Sequence, residues 1–168
     1  MNNVLMTVSA TIRPAVASDL EAMLKLAEAR RSEYAKHQPI FWRPAPDAVA
    51  RQRPHLARLI QDDAAITVVA DTNRGVAGFA IGTVVPAPPV YDPGGPTCIV
   101  DDFIVDDPER WPTIGVDLLR YVRQAARRQA AAQIVVVCGH LDGPKRTALE
   151  ASGLSIASNW WVTPLGTD

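Results

Sequence analysis

The sequence predicts a single mixed α/β domain, one sheet with helices on both faces, and three observations carry that expectation. The first is the order of the apolar patterns, β-α-α-β-β-β-α-β-α-β, in which strands and helices are interleaved. The second is a hairpin signal, Asp71-Thr72-Asn73-Arg74-Gly75, between two β-rich runs. The third is residues 99–119, IVDDFIVDDPERWPTIGVDLL, where a short apolar strand carrying Asp101 and Asp102 feeds an acidic, proline-containing turn and then a helix. With 168 residues the chain is long enough for one domain with a sizeable core.

Each element has its own signal. After a loose segment over 1–9, a short strand spans 10–13 and stops at Pro14. Ser18 and Glu21 have capping-box spacing, and Leu20, Met23, Leu24 and Ala27 then recur at helical period, predicting a helix to Lys36. Residues 38–44 break it and put Phe41 and Trp42 in a loop. A second helix covers 47–61, interrupted or kinked at Pro54. Strands are expected over 65–70 and 76–85.

Residues 86–96 contain five prolines, which have no N–H for a ladder, so this stretch is a stiff surface loop. A strand over 97–105 and a helix over 113–129 follow. The run 133–138 is continuously apolar and predicts a strand buried on both faces. Residues 142–151 form a short helix closed by Gly153. A last strand is expected over 158–164, with Trp160 and Trp161 on alternate faces, one of them in the core.

Composition narrows the function. A net charge of −1 provides no basic field for nucleic acid. The first ten residues lack a signal-peptide pattern, and no apolar run is long enough to span a bilayer. The two cysteines, Cys98 and Cys138, lie in separate apolar runs without CxxC spacing and read as reduced core thiols. A cytoplasmic protein is the expectation. His37 and His55 have no metal-ligand spacing, and no metal is expected.

The chemistry concentrates where strand 97–105 meets the following helix. A helix start has N–H groups without intrahelical partners and a positive dipole end, so it attracts anions, with Arg110 just ahead of it. Two carboxylates do not bind phosphate, so Asp101 and Asp102 suggest acid/base work or amine recognition. Strand alternation sends them to opposite sides. His140 follows the apolar strand and could shuttle a proton, or simply hydrogen-bond Asp142. Phe41, Trp42 and Tyr91 either wall a substrate pocket or cover a core edge or dimer contact.

This order and the 101–119 segment resemble the GNAT superfamily of acyl-CoA-dependent N-acetyltransferases, over residues 12–165. Asp101-Asp102-Phe103-Ile104-Val105 is similar to that family's fourth strand, and Arg110-Trp111-Pro112-Thr113-Ile114-Gly115 to its pyrophosphate loop. The last helix and Gly153-Leu154 resemble the family's closing helix and its Gly-Phe pair. The resemblance implies a mostly antiparallel sheet and acetyl transfer from acetyl-CoA to a primary amine by direct attack. It implies Asp101, ahead of Asp102, as base, with His140 as a further candidate. It places the donor on Phe103, Ile104, Val105, the loop from Arg110 to Gly115, Val116 and Asp142.

Three departures accompany the likeness. Thr113 replaces the first loop glycine and Pro112 has no N–H; the family's tyrosine acid falls on Leu149; and too few residues follow Gly153 for two closing strands. A closing strand is then missing or supplied by a partner, which would make a homodimer. The alternative function is a catalytically silent acyl-CoA-binding or interaction protein on the same scaffold.

Overall fold

In the computed structural model, which describes residues 9–166, a five-stranded sheet is flanked by four helices. The expected loose segment 1–9 lies, but for Ser9, outside the described residues. Strands β1 (Thr11–Pro14), β2 (Ala65–Thr72), β3 (Gly75–Val85), β4 (Thr97–Val105) and β5 (Gln133–Val136) lie side by side in chain order. All neighbours are antiparallel except β4 and β5. The predicted sheet is therefore present, with hairpin β2–β3 turning at Gly75, whose φ of 101° suits glycine.

Two apolar layers sandwich the sheet. Helices α1 (Leu20–His37) and α2 (Ala48–Gln61) bury Met23, Leu24, Leu56 and Leu59 against Val69, Phe79 and Ile104. Helix α3 (Val116–Arg128) buries Leu118, Leu119 and Val122 on the opposite face, against Val68, Ala80 and Val100. Val68 and Val69 thus serve opposite cores, as the two-residue period of a strand requires. Helix α4 (Gly143–Ala151) joins the α3 layer through Ala148 and Leu149.

Several expectations are corrected. The capping box at Ser18 and Glu21 does not form, because residues 17–19 wind into a 3₁₀ turn. Asp19 does the work instead: its carboxylate accepts the Val16 N–H at 2.8 Å and both terminal nitrogens of Arg13 at 2.7 and 2.9 Å. The Arg13 guanidinium holds that carboxyl below the usual range. Glu21 turns outward to pair with Arg53 of α2. Pro54 is accommodated inside a continuous α2.

The helix expected at Thr113 begins earlier. A 3₁₀ turn (Pro108–Arg110) and a π turn (Trp111–Gly115) run without interruption into α3. β5 is half-buried rather than covered on both faces, with Val135 40% exposed. No strand forms over 158–164, and Trp160 and Trp161 are 81% and 93% exposed. The cause is common to both: no described segment pairs with the outer edge of β5.

β3 and β4 approach closely at Gly78, where an added Cβ would sit 2.7 Å from the Ile104 carbonyl oxygen and 3.2 Å from Leu118. Gly78→Ala should therefore lower stability by roughly 1–3 kcal/mol, as overpacking against an immovable backbone does. The midpoint of chemical denaturation reads it, and an unchanged midpoint would refute the contact.

Candidate active site

A bulge in β4 organises the site. Ala80 faces Phe103 and Gly82 faces Val100, so Ile81 alone opposes both Asp101 and Asp102. The extra residue breaks the alternation that separates neighbouring side chains. Contrary to the sequence expectation, both aspartates line one cavity of about 410 Å³. Its far wall is α2, with His55 and Arg58, and Asp62 just past its end, and Thr83 of β3 closes one side.

The two carboxylates differ in setting. Asp101 is exposed. Asp102 is half-buried and receives Arg30 of α1 at 3.1 Å, while Arg30 also donates to the Asp101 carbonyl at 3.0 Å. Burial pushes the Asp102 carboxyl above the usual range, with Arg30 opposing it. A carboxylate so placed is better suited than its exposed neighbour to accept a proton.

Next to the cavity the sheet forks. The β4–β5 ladder ends where Val137 N–H donates to the Val100 carbonyl at 2.9 Å. Beyond that rung the gap is bridged by Lys145 from α4, whose Nζ donates to the Phe103 carbonyl at 3.0 Å and the Val137 carbonyl at 2.9 Å. The ammonium is fully buried, 5.1 Å from the Phe103 ring centroid and 5.3 Å from that of Trp111. Burial pulls its pKa down to about 8.

A second set of hydrogen bonds fixes α4. Asp142 caps it by accepting the Lys145 N–H at 3.2 Å and also accepts a hydrogen bond from the Tyr34 hydroxyl at 2.8 Å. Tyr34 accepts the Gly139 N–H at 3.2 Å, and the Arg30 guanidinium lies 5.3 Å from its ring. Burial raises the Tyr34 pKa.

The expected anion cradle is built differently. Asp107 caps the helical run by accepting the Glu109 N–H at 2.9 Å, and Arg110 turns to Asp106 at 3.1 Å. Thr113 is therefore an interior residue of that winding, its hydroxyl donating to the Arg110 carbonyl. Pro108 suits a helix start, and Trp111 gains a buried seat edge-on to Phe103, 4.8 Å between centroids. Gly115 makes the seat: an added Cβ would meet the indole at 2.4 Å. Ile114 points into the core, Pro112 is exposed, and Val116 is half-buried. The space among Phe103, Trp111, Gly115 and Val116 leaves no room for a water molecule.

The remaining candidates are scattered. His140 is exposed, and neither it nor Phe41, Trp42 or Tyr91 lines the cavity. Trp42 packs 5.1 Å from Tyr34, Phe41 touches Trp42 and Trp160, and Tyr91 is largely in solvent. Cys98 and Cys138 are both free, and burial pushes the Cys138 thiol up to about 11. No group of three His, Cys, Asp or Glu side chains able to hold a metal occurs among the described residues. Arg30, Tyr34, His55, Arg58 and Lys145 were not anticipated from sequence. Lys145 alone had a signal, since it shares the helical spacing of Ala148 and Leu149 on the buried side of α4.

The titration of Lys145 has a definite sign. Its folded pKa of about 8 lies below the unfolded 10.5, so between those values the unfolded chain binds more protons and stability rises with pH. Subtracting the pH profile of Lys145→Met from that of the native chain isolates this contribution from Cys138 and Tyr34. The difference in thermal midpoint should grow in the native chain's favour from about pH 8 upward, and a flat difference would contradict the burial.

No protein-family model and no curated protein matches this chain. Solved structures do. A mutant of the BH1408 protein of Bacillus halodurans shares 16% identity at a TM-score of 0.79, over 92% of this chain and 99% of its own. A predicted acetyltransferase from Clostridium acetobutylicum, solved with acetyl-CoA, shares 15% at 0.71, over 92% and 96%. The aminoglycoside 6′-N-acetyltransferase of Acinetobacter haemolyticus shares 12% at 0.69, over 94% and 99%. The chain has the fold of the GNAT acetyltransferases.

Proposed function

We propose that this GNAT-fold chain transfers an acetyl group from acetyl-CoA to a primary amine. The observation that carries the reading is the fork itself: β4 and β5 separate right beside a cavity that holds two carboxylates. The thioester arm lies along Phe103, Ile104 and Val105 between the strands, and the amine occupies the Asp101–Asp102 cavity. The likeness to a structure that contains acetyl-CoA supports the donor. The acceptor's class, a cationic amine, is supported by the pair of carboxylates.

The steps use few groups. Asp101, with Asp62 across the cavity, attracts the ammonium, and Asp102 removes its proton. The amine nitrogen attacks the thioester carbon, and the oxygen that gains charge takes a main-chain N–H near Val105. Collapse of the tetrahedral intermediate releases the thiolate, which takes up a proton. That proton is the surplus one that the attacking nitrogen sheds as the intermediate collapses; Leu149 stands where the family resemblance would put a tyrosine acid, so the proton is relayed by another group or by water. For the arm to enter, Lys145 must release the Phe103 carbonyl. Arg110 then exchanges Asp106 for the diphosphate. Two free thiols suit a reducing, cytoplasmic setting.

A specific observation favours a second reading. Lys145 and Trp111 fill the fork. If they stay there, the chain is a silent scaffold that works through protein contacts. Calorimetric titration with acetyl-CoA separates the two: saturable binding is expected for the transferase, and its absence at millimolar donor leaves the scaffold. Asp102→Asn should cut turnover by about 10²–10⁴-fold, the usual contribution of a general base, with donor affinity unchanged. A thiol-release assay over an amine panel measures it, and full activity would remove Asp102 from the mechanism.

A further inference from the structure

We infer that the amine acceptor is a free diamino acid, its side-chain amine held at Asp101 and Asp102 and its α-amino-carboxylate head read by Asp62 and Arg58. The inference rests on the acyl-transfer reading and names the substrate class for that same cavity.

The cavity has two ends, and β3 sets their separation. Ile81 opposes Asp101 and Asp102, and two residues further on Thr83 pairs with Ala65 and with Ile99. Two residues of strand span about 6–7 Å. α2 delivers its charges to this second end, because Asp62 follows its last residue and the Asp62 carbonyl accepts the Ala65 N–H at 3.0 Å. Arg58 lies one helical turn before Asp62, on the same side of α2. Between the ends the floor is apolar, with Leu59 and Ile81 buried.

The charges around this floor are mostly unanswered. Of Arg58, Asp62, Asp101 and Asp102, only Asp102 is in an ion pair among the described residues, with Arg30 of α1. Asp62 Oδ1 accepts the Ala64 N–H at 2.9 Å, which orients the carboxylate without neutralising it. The Arg58 guanidinium meets the His55 ring instead, 3.3 Å from Nδ1. A ring nitrogen that accepts from a guanidinium belongs to a neutral imidazole, so His55 adds no charge. Asp62 and Asp101 against Arg58 leave one surplus negative charge, which the C-terminal dipole of α2 strengthens.

Few ligands answer this pattern. A monoamine satisfies one end alone. A diamine sets a second cation against Arg58, and an aminocarboxylate sets its anion against Asp62. A diamino acid matches every group: side-chain ammonium to Asp101 and Asp102, α-ammonium to Asp62, α-carboxylate to Arg58, with one surplus positive charge. Its extended side chain covers roughly 6 Å at about 1.5 Å per bond, the separation of the two ends. A cavity of about 410 Å³ suits so small a ligand.

A thiol-release assay with acetyl-CoA tests this. It compares free lysine and ornithine with their decarboxylated diamines, with the matching ω-amino acids, and with lysine blocked by neutral amides at both α positions. One of the free amino acids should exceed every other probe in kcat/KM by at least about tenfold, as loss of a charged hydrogen bond implies. Arg58→Gln should erase its advantage over the diamine, and Asp62→Asn its advantage over the ω-amino acid, each leaving the other advantage in place. Misfolding cannot produce that crossed pattern, and Asn keeps the acceptor for the Ala64 N–H. Blocked lysine used as well as free lysine, a preferred diamine, or advantages unchanged in both variants would overturn the inference and leave acyl transfer standing. Saturable acetyl-CoA binding by calorimetry without thiol release to any of these amines does the same. Absence of donor binding removes the transferase reading itself, and this inference with it.

Discussion

The geometry around the fork depends on one buried ammonium. Lys145 joins the carbonyls of Phe103 and Val137 across strands that have stopped pairing, and without it both oxygens would be desolvated and unmatched. Removing an ammonium from water costs several kcal/mol. Two carbonyl acceptors and two aromatic faces recover most of that. Burial still pulls the ammonium's pKa down from 10.5 to about 8, so part of that cost is not recovered. Opening the fork therefore requires new partners for both carbonyls as well as water for the ammonium.

The same economy governs the start of α3. A helix front attracts whatever negative charge is nearest, and the chain itself supplies Asp106, Asp107 and Glu109. Asp107 takes the first N–H, Asp106 neutralises Arg110, and the indole of Trp111 occupies the space under the first turn. Any diphosphate bound here has to compete with these carboxylates. Such binding would be sensitive to salt and to the charge state of the loop, more than at a glycine-lined cradle.

Much of the fold was legible because it rests on periodic signals. β4 was placed residue for residue over 97–105, and α1, α2 and the β2–β3 hairpin within a few positions, since local pattern and burial agree there. The misses have physical causes. The start of α3 was read from a family-like loop, whereas Pro108 and the Asp107 cap start the winding five residues earlier. β5 and the tail were read as buried from composition alone, which cannot say whether a covering segment is present in the same chain. In the candidate site, Asp101 and Asp102 stood out in the sequence because paired carboxylates on a strand are conspicuous. Their shared cavity was not, because a bulge leaves no mark in the sequence. Arg30, Tyr34 and Lys145 lie on three separate stretches and become neighbours only through the tertiary fold.

These features bear on one another through α4. Its N-terminus is tied by Asp142 to Tyr34, its first turn sends Lys145 into the fork, and its far end releases the tail at Gly153. Lys145 thus joins an acceptor held inside the β3–β4 ladder, the Phe103 carbonyl, to one just past the end of β5, the Val137 carbonyl. In the acyl-transfer reading, an arm that displaced the ammonium from the Phe103 carbonyl would arrive one residue from Asp102.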